Sequence, residues 1–358
     1  MKIADVDTRL HEDPFFPQLL VQVTTDEGLT GTGECWWGVS PAAPEIRNLN
    51  IKPAAVVDPI ASVVENLLRP LLVGKPSDRI EDLWQQMIHF IYRYGDEGLV
   101  RCAVSGVDLA LWDLIGKRIG VPVIQFLGGP VKDGLRAYAS LPPLRDPGRL
   151  RQESGRARQA GFAGIKLHET DPQAAAIVRE VVGPDVALMF DVNGHFSPIE
   201  ALKIASSLKS CDVYWFEEPV WPMRDHRAMG RIKKETGIGI AAGENEYDLD
   251  SFHRLMASGA ADFIMPEITK IGGLTSARRI STLAELFNRI ISPHGFRIGP
   301  ALYANIHWAL SCPVSDWIEV PFLPEGFEFP AGFPLPPMEG GMIRLPQGAG
   351  LGLPEGNV

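Results

Sequence analysis

VALMFDVNG, residues 186–194, is an apolar run that closes on an aspartate, and this design recurs along the chain. Ionisable residues close most of these runs at intervals of 25, 26, 27, 23, 27 and 25 residues: Lys166, Asp191, Glu217, Glu244, Glu267, His294 and Glu319. A strand, a helix and the two loops that join them need about this length in a parallel α/β barrel. The spacing therefore predicts such a barrel, with RAYAS, residues 136–140, as its first strand.

The position of these residues within the repeat predicts a single site. In a parallel barrel the carboxyl ends of the strands meet at one face, and active sites lie there. One charged residue at a strand end carries little information. Seven on successive strands indicate a metal site surrounded by acid and base groups.

The two ends of the chain depart from this alternating pattern. Residues 2–37 read as extended segments, and they are followed by helical periodicities at residues 60–72, 80–92 and 100–119. Strands followed by grouped helices indicate an α+β unit that is separate from the barrel. We expect an α+β cap over residues 1–128, a barrel over 129–322, and a Pro- and Gly-rich C-terminal segment, 323–358, that returns to the cap.

The composition argues against several classes of function. The 358-residue chain has a formal net charge of −10 and no basic run, which argues against a nucleic-acid surface. Its N-terminus lacks the apolar core of a signal peptide, and the uncharged residues 298–315 include two prolines, an asparagine and a histidine. The four cysteines form no CxxC motif. We expect a cytoplasmic protein with reduced thiols and with no nucleic-acid or membrane partner.

Three carboxylates are candidate metal ligands. Asp191, Glu217 and Glu244 close three consecutive predicted strands, so their side chains should converge. Carboxylates this close repel one another, and a divalent cation removes the repulsion. All-oxygen ligation favours Mg²⁺ or Mn²⁺ over zinc. The alternative is that the three acids are unrelated and cap helices or pair with lysines.

Five further residues are candidate acid–base or charge-stabilising groups. His294 in SPHG follows Glu267 by one repeat, so the carboxylate should contact a ring nitrogen and raise the pKa of the imidazole. Lys166 and His168 have period-two spacing and should both face the barrel interior. Glu319 would donate a hydrogen bond if neighbouring acids keep it protonated. The simpler alternatives are a lysine that only neutralises the acids and a histidine with a structural role.

The motifs FDVNG, FEEP, AGE, KIGG and SPHG together resemble those of the enolase superfamily, in its mandelate racemase subgroup. The resemblance covers nearly the whole chain and implies a modified (β/α)₇β barrel with an α+β cap. It also implies Mg²⁺ at Asp191, Glu217 and Glu244, and a small carboxylate substrate. In the family a base removes the α-proton of that substrate, and the metal stabilises the enediolate.

The same resemblance implies further roles, but two positions depart from the family pattern. His294, oriented by Glu267, would be an acid–base group, while Lys166 and Glu319 would contact the substrate carboxylate. Glu267 stands where the subgroup usually has aspartate, and His168 replaces the second lysine of the usual KxK. Histidine titrates near neutrality, so His168 can still act as a base. A two-base racemase of the mandelate type is nevertheless disfavoured.

Most members of the subgroup dehydrate acid sugars, so we predict a Mg²⁺-dependent dehydratase that yields a 2-keto-3-deoxy acid. Three alternatives stay open. They are a racemase or epimerase of a 2-hydroxy or amino acid, a binding homologue without turnover, and a less favoured cycloisomerase-type relative with lysine at the position of Glu267.

Two segments of the cap are predicted lids over this site, residues 12–18 and 36–57. Four aromatic residues in them are candidate pocket-lining residues: Phe15, Phe16, Trp36 and Trp37. Simple packing of these rings between cap and barrel is the alternative. The family resemblance also suggests a homo-oligomer.

Overall fold

The computed structural model describes residues 1–12, 17–36, 54–327, 329 and 331–354. Its strands are β1 (Ile3–His11), β2 (Gln18–Thr25), β3 (Thr30–Glu34), β4 (Leu135–Leu141), β5 (Gly164–His168), β6 (Ala187–Asp191), β7 (Val213–Glu217), β8 (Ile240–Ala242), β9 (Phe263–Ile264), β10 (Ile290–Ile291), β11 (Trp317–Pro321), β12 (Met338–Glu339) and β13 (Met342–Ile343). Its α-helices are α1 (Ala54–Val63), α2 (Arg69–Leu72), α3 (Ile80–Ile91), α4 (Leu99–Ile119), α5 (Pro147–Gln159), α6 (Gln173–Val182), α7 (Pro198–Leu208), α8 (His226–Thr236), α9 (Leu249–Ala257), α10 (Gly273–Leu286) and α11 (Pro300–Ser311). A π-helical turn at Val64–Leu68 joins α1 to α2.

The cap is built on the antiparallel sheet β1-β2-β3, which packs against the long helix α4. Two glycines of β3 permit the close approach. A Cβ atom on Gly31 would lie 2.1 Å from the carbonyl oxygen of Ala110, and one on Gly33 would lie 2.0 Å from that of Gly106. Helix α4 also contacts α10. The cap is therefore fixed to the barrel through a helix that is buried along most of its length.

Strands β4 to β11 form the predicted parallel barrel. Each of these strands pairs in parallel with the next from β4 to β10, and β11 pairs in parallel with β4. A bridge between Ile291 and Ser315 joins the last pair of neighbours. The predicted fold class, a (β/α)₇β-type barrel with an α+β cap, is confirmed.

The C-terminal segment does more than return to the cap. Its hairpin β12–β13 pairs antiparallel with β4, which the sequence did not predict. Further on, Val123 donates a backbone hydrogen bond to Gly350, and Leu351 donates one to the buried Asp113 carboxylate. The segment thus binds both the barrel and the cap.

An apolar cluster fills the barrel interior below its mouth. We call it the plug, and its members are Tyr138, Met189, Trp215, Ala241, Phe263, Met265 and Trp317. All of them are buried. The plug is the floor on which the polar residues of the mouth rest.

Three other sequence predictions concern peripheral features. Most of the two predicted lids, including Phe15, Phe16 and Trp37, lies outside the described residues. All four cysteines are free and buried. Among the residues that the structure describes, no helix is both long and apolar enough to cross a bilayer.

Candidate active site

All eight predicted site residues meet in one contact network at the carboxyl-terminal mouth of the barrel. Lys166, His168, Asp191, Glu217 and Glu319 lie within β5, β6, β7 and β11. Glu244, Glu267 and His294 lie two or three residues beyond β8, β9 and β10. The parallel strands place these positions at one edge, as the spacing predicted.

Asp191, Glu217 and Glu244 form a buried triad whose ligand oxygens lie within 4.8 Å of one another. Burial and the charge of Asp191 raise the pKa of Glu217 well above its usual range, although Lys166 opposes the shift. Two of the three carboxylates are oriented by a close donor: the backbone N–H of Asn193 lies 2.8 Å from Asp191 Oδ1, and the indole N–H of Trp215 lies 2.8 Å from Glu217 Oε2. Buried, mutually repelling oxygen donors are a site that fits a hard divalent cation.

Lys166 is fully buried and is surrounded by carboxylates. Its Nζ atom lies 2.8 Å from Glu217, 2.9 Å from Glu319 and 3.3 Å from Asp191. Burial alone would lower the pKa of this amine, but Glu217 and Glu319 raise it well above its usual value. Lys166 is therefore an ammonium that neutralises the acids, and a contact with a substrate carboxylate stays a prediction.

His294 contacts two carboxylates, one through each ring nitrogen. Nδ1 lies 2.7 Å from Glu267 Oε2, and Nε2 lies 3.0 Å from Glu244 Oε2. Burial opposes protonation, yet Glu244, Glu319 and the hydrogen bond to Glu267 raise the pKa of His294 to about 10. The N–H and hydroxyl of Thr269 hold the other oxygen of Glu267 at 3.0 and 2.7 Å. Glu267, although one methylene longer than the usual aspartate, thus makes the predicted contact with His294.

His168 lies at the opposite end of the triad. Its Nδ1 atom lies 2.6 Å from the carbonyl oxygen of Leu141, so this nitrogen is the donor, and its Nε2 atom lies 3.2 Å from Asp191 Oδ2. The Phe296 ring and the imidazole are nearly perpendicular, with a centroid separation of 5.9 Å. Because His294 contacts Glu244 and His168 contacts Asp191, the two imidazoles flank the carboxylates from both sides.

Glu319 differs from its predicted state. Lys166 Nζ, the Tyr138 hydroxyl and the Gly295 N–H surround the carboxylate at 2.9, 3.2 and 3.2 Å. Burial raises the pKa of Glu319, but Lys166 and His294 outweigh it and lower the value to about 2. The expectation of a protonated donor was wrong, since the residue is an ionised acceptor among three donors.

One charged residue at the site, Lys270, was missed by the sequence analysis. Lys270 lies in the KIGG motif, and its Nζ atom contacts Glu244 O at 2.9 Å and Asn245 Oδ1 at 3.0 Å. The ring of Trp36 lies 4.4 Å from the same ammonium, which links a predicted lid to the barrel. The motif was noted for its family resemblance, but nothing in its pattern indicated that Lys270 contacts a metal-ligand segment.

Two family models match the chain, one over the cap and one over the barrel and the C-terminal segment. The N-terminal domain of mandelate racemase and muconate lactonizing enzymes matches residues 10–128. The enolase C-terminal domain-like model matches residues 149–354. The chain belongs to the enolase superfamily, in its mandelate racemase subgroup.

Individual relatives of this chain carry out different reactions. The chain is 32% identical to an arabinonate dehydratase of Saccharolobus solfataricus over 74% of this chain and 72% of that protein. The crystal structure of 3,6-anhydro-D-galactonate cycloisomerase from Zobellia galactanivorans has a TM-score of 0.86 at 28% identity, covering 99% of this chain and 97% of that one. A racemase from Streptomyces coelicolor, solved with bound magnesium, has a TM-score of 0.84 at 27% identity, covering 98% and 96%. The comparisons therefore define an enzyme family, but they do not decide the reaction type, which must be inferred from the residues of the active site.

Proposed function

We propose that this protein is a Mg²⁺-dependent dehydratase of an acid sugar. The observation that carries the proposal is the pair of imidazoles at the two ends of the carboxylate triad, His168 beside Asp191 and His294 beside Glu244. Such a dehydration needs one group that removes the α-proton and another that protonates the leaving hydroxyl. The similarity to an arabinonate dehydratase supports the same reaction.

Asp191, Glu217 and Glu244 would hold the cation. When bound, Mg²⁺ would supply positive charge to the carboxylate of the substrate and so favour loss of its α-proton. The protein adds a second cation, because the Lys166 ammonium lies within the same buried group of acids. Negative charge that develops on the substrate would therefore meet two cations in a site with little water.

The imidazoles carry the proton transfers. One takes the proton from the α-carbon, and the electron pair of that C–H bond forms the new C=C bond. The C–O bond at the β-carbon breaks, and the second imidazole gives its proton to the departing hydroxyl, which leaves as water. Glu267 orients His294 through Nδ1, so that Nε2 is the atom that transfers the proton. The enol product then becomes a 2-keto-3-deoxy acid.

A cycloisomerase is the second candidate, favoured by the similarity to 3,6-anhydro-D-galactonate cycloisomerase over nearly the entire chain. It would begin with the same α-proton removal, but a ring ether or ester oxygen would leave in place of water. The sequence analysis expected a lysine at the position of Glu267 for a cycloisomerase-type relative. The Glu267–His294 pair supports a histidine-based proton transfer instead.

The test is incubation of the purified protein with Mg²⁺ in D₂O against a panel of sugar acids, sugar-acid lactones, 3,6-anhydro sugar acids and 2-hydroxy acids, followed by proton NMR. We expect a 2-keto-3-deoxy product from a sugar acid, and no product when EDTA replaces Mg²⁺. Product only from a lactone or anhydro acid would establish the cycloisomerase. Exchange of the α-proton without elimination would establish a racemase or epimerase, and no change in any compound would count against catalysis of this class.

A further inference from the structure

Four of the eight site residues stand two positions after a member of the plug. The pairs are Met189 and Asp191, Trp215 and Glu217, Met265 and Glu267, and Trp317 and Glu319. Side chains two residues apart on a strand point to the same face. The plug therefore lies directly beneath the mouth, and its polar atoms are the nearest partners for the undersides of the carboxylates.

Two plug residues use such polar atoms. The indole N–H of Trp215 donates to Glu217 Oε2 at 2.8 Å, and the hydroxyl of Tyr138 donates to Glu319 Oε2 at 3.2 Å. The two rings meet edge to face, with centroids 5.4 Å apart and an interplanar angle of 85°. A change at either ring would therefore be felt by its neighbour and by the carboxylate above it.

The two carboxylate oxygens of Glu217 have different hydrogen-bond partners. Oε2 is bound to Trp215, while Oε1 lies 2.8 Å from Lys166 Nζ. The same Nζ atom lies 3.3 Å from Asp191 Oδ2. Oε1 is thus the oxygen on the Asp191 side, and Oε2 is turned down toward the plug.

We propose that Trp215 is a positioning residue for the metal ligand Glu217, and that its N–H restricts this carboxylate to one ligating oxygen. The inference rests on the proposed metal site. A carboxylate without this bond would be free to offer both oxygens, which suits Ca²⁺, an ion that accepts bidentate carboxylates. Mg²⁺ and Mn²⁺ prefer six-coordinate sites built from single oxygens. The indole therefore sets both the strength of metal binding and the choice of ion.

Trp317 supplies a matched control. It lies in the same plug, 6.4 Å from Trp215 between ring centroids, and is equally buried. Its N–H donates to the Tyr214 hydroxyl at 3.4 Å and not to a carboxylate of the mouth. Trp215→Phe and Trp317→Phe each remove one indole N–H and the same volume from the same layer.

The experiment measures binding of Mn²⁺ to the full chain by electron paramagnetic resonance of the free ion, and of Ca²⁺ by competition. We expect Trp215→Phe to weaken Mn²⁺ binding by about 10- to 100-fold, the usual effect of losing a hydrogen bond to a ligand. We also expect the ratio of Ca²⁺ to Mn²⁺ affinity to rise in this variant. Trp317→Phe should change neither quantity. A plug that is merely loosened would weaken both ions alike.

Equal Mn²⁺ affinity in the wild type and Trp215→Phe overturns the inference, and so does an equal loss in both variants. If Trp215→Phe gives no cooperative thermal transition, Trp215→Met is compared with Trp317→Met instead. These variants also lack the indole donor. The measurement needs no substrate. A wild type that binds Mn²⁺ but turns over no compound would therefore contradict the proposed dehydratase activity and leave this inference intact. A wild type that binds no Mn²⁺ overturns this inference together with the metal assignment.

Discussion

Two layers inside the barrel lie only two residues apart along β6, β7 and β11, yet they differ in charge and polarity. The mouth gathers ionisable groups around Lys166, whereas the plug below it is aromatic and aliphatic. The mouth concentrates charge that is unfavourable without its partners, and the plug buries apolar area that stabilises the fold. Side chains two residues apart on a strand point to the same face, so successive interior positions of one strand build both layers. Changes in the first layer should alter chemistry. Changes in the second should alter stability, except at Trp215 and Tyr138, whose polar atoms bind the carboxylates above them.

The largest effect is expected in the mouth. His294→Asn removes the imidazole that Glu267 orients, and we expect the turnover number to fall by about 10²- to 10⁴-fold, as for the loss of a general acid or base. Thermal unfolding should change little by comparison. The control is His253→Asn on α9, which makes the same change at an exposed histidine outside the mouth and should retain turnover. Comparable turnover in the two variants would contradict the role of His294.

A second substitution, in the plug, tests the same difference between the two layers. Phe263 packs against Trp215 with centroids 5.0 Å apart and donates no hydrogen bond. Phe263→Ala should leave a cavity in the plug and lower the free energy of unfolding by about 3–5 kcal/mol, as measured in urea. Mn²⁺ affinity of the folded protein should be retained, because Trp215 keeps its bond to Glu217. Phe287→Ala, at a half-buried position after α10, should cost clearly less. A Phe263→Ala variant that keeps its stability but loses Mn²⁺ would reverse the assignment of roles to the two layers.

The mouth was predictable from the sequence, and the plug was not. Ionisable residues at the ends of apolar runs are conspicuous, because burial of a charge requires a reason. Period-two spacing places Trp215 on the same face as Glu217, but no sequence signal distinguishes an indole that donates to a carboxylate from one that only packs. Trp317, in the same position relative to Glu319, donates to Tyr214 instead. That difference depends on ring orientation, which neighbouring strands set.

Two other failures have physical causes of the same kind. Glu319 was expected to donate a hydrogen bond if neighbouring acids kept it protonated, but three donors from β4, β5 and the loop after β10 surround it. The hairpin β12–β13 lies in a Pro- and Gly-rich tail, and each of its strands is two residues long. Alternation cannot be detected in so short a strand, and its pairing with β4 is formed between residues about 200 positions apart.

The smallest effect concerns a histidine that lies outside both layers and is buried without a charged partner. His307 on α11 is as buried as His294, but its partners are neutral: the N–H of Ile124 donates to Nδ1 at 3.1 Å, and Nε2 lies 3.2 Å from the Leu351 carbonyl. Burial lowers the pKa of His307 to about 4, since no carboxylate compensates for it.

The unfolded chain has the ordinary histidine pKa of about 6.5, so it takes up a proton in a pH range where the folded protein does not. The contribution of His307 to stability is therefore complete above pH 6.5 and is lost as the pH falls to 4. The loss should reach about 3 kcal/mol. Urea unfolding of the wild type and His307→Gln across this range isolates the histidine, because the titrating carboxylates are common to both proteins. The wild type should lose stability more steeply than the variant between pH 6.5 and 4. Equal slopes would mean that His307 takes up a proton in the folded state as readily as in the unfolded chain, and would overturn the assignment of a neutral buried imidazole.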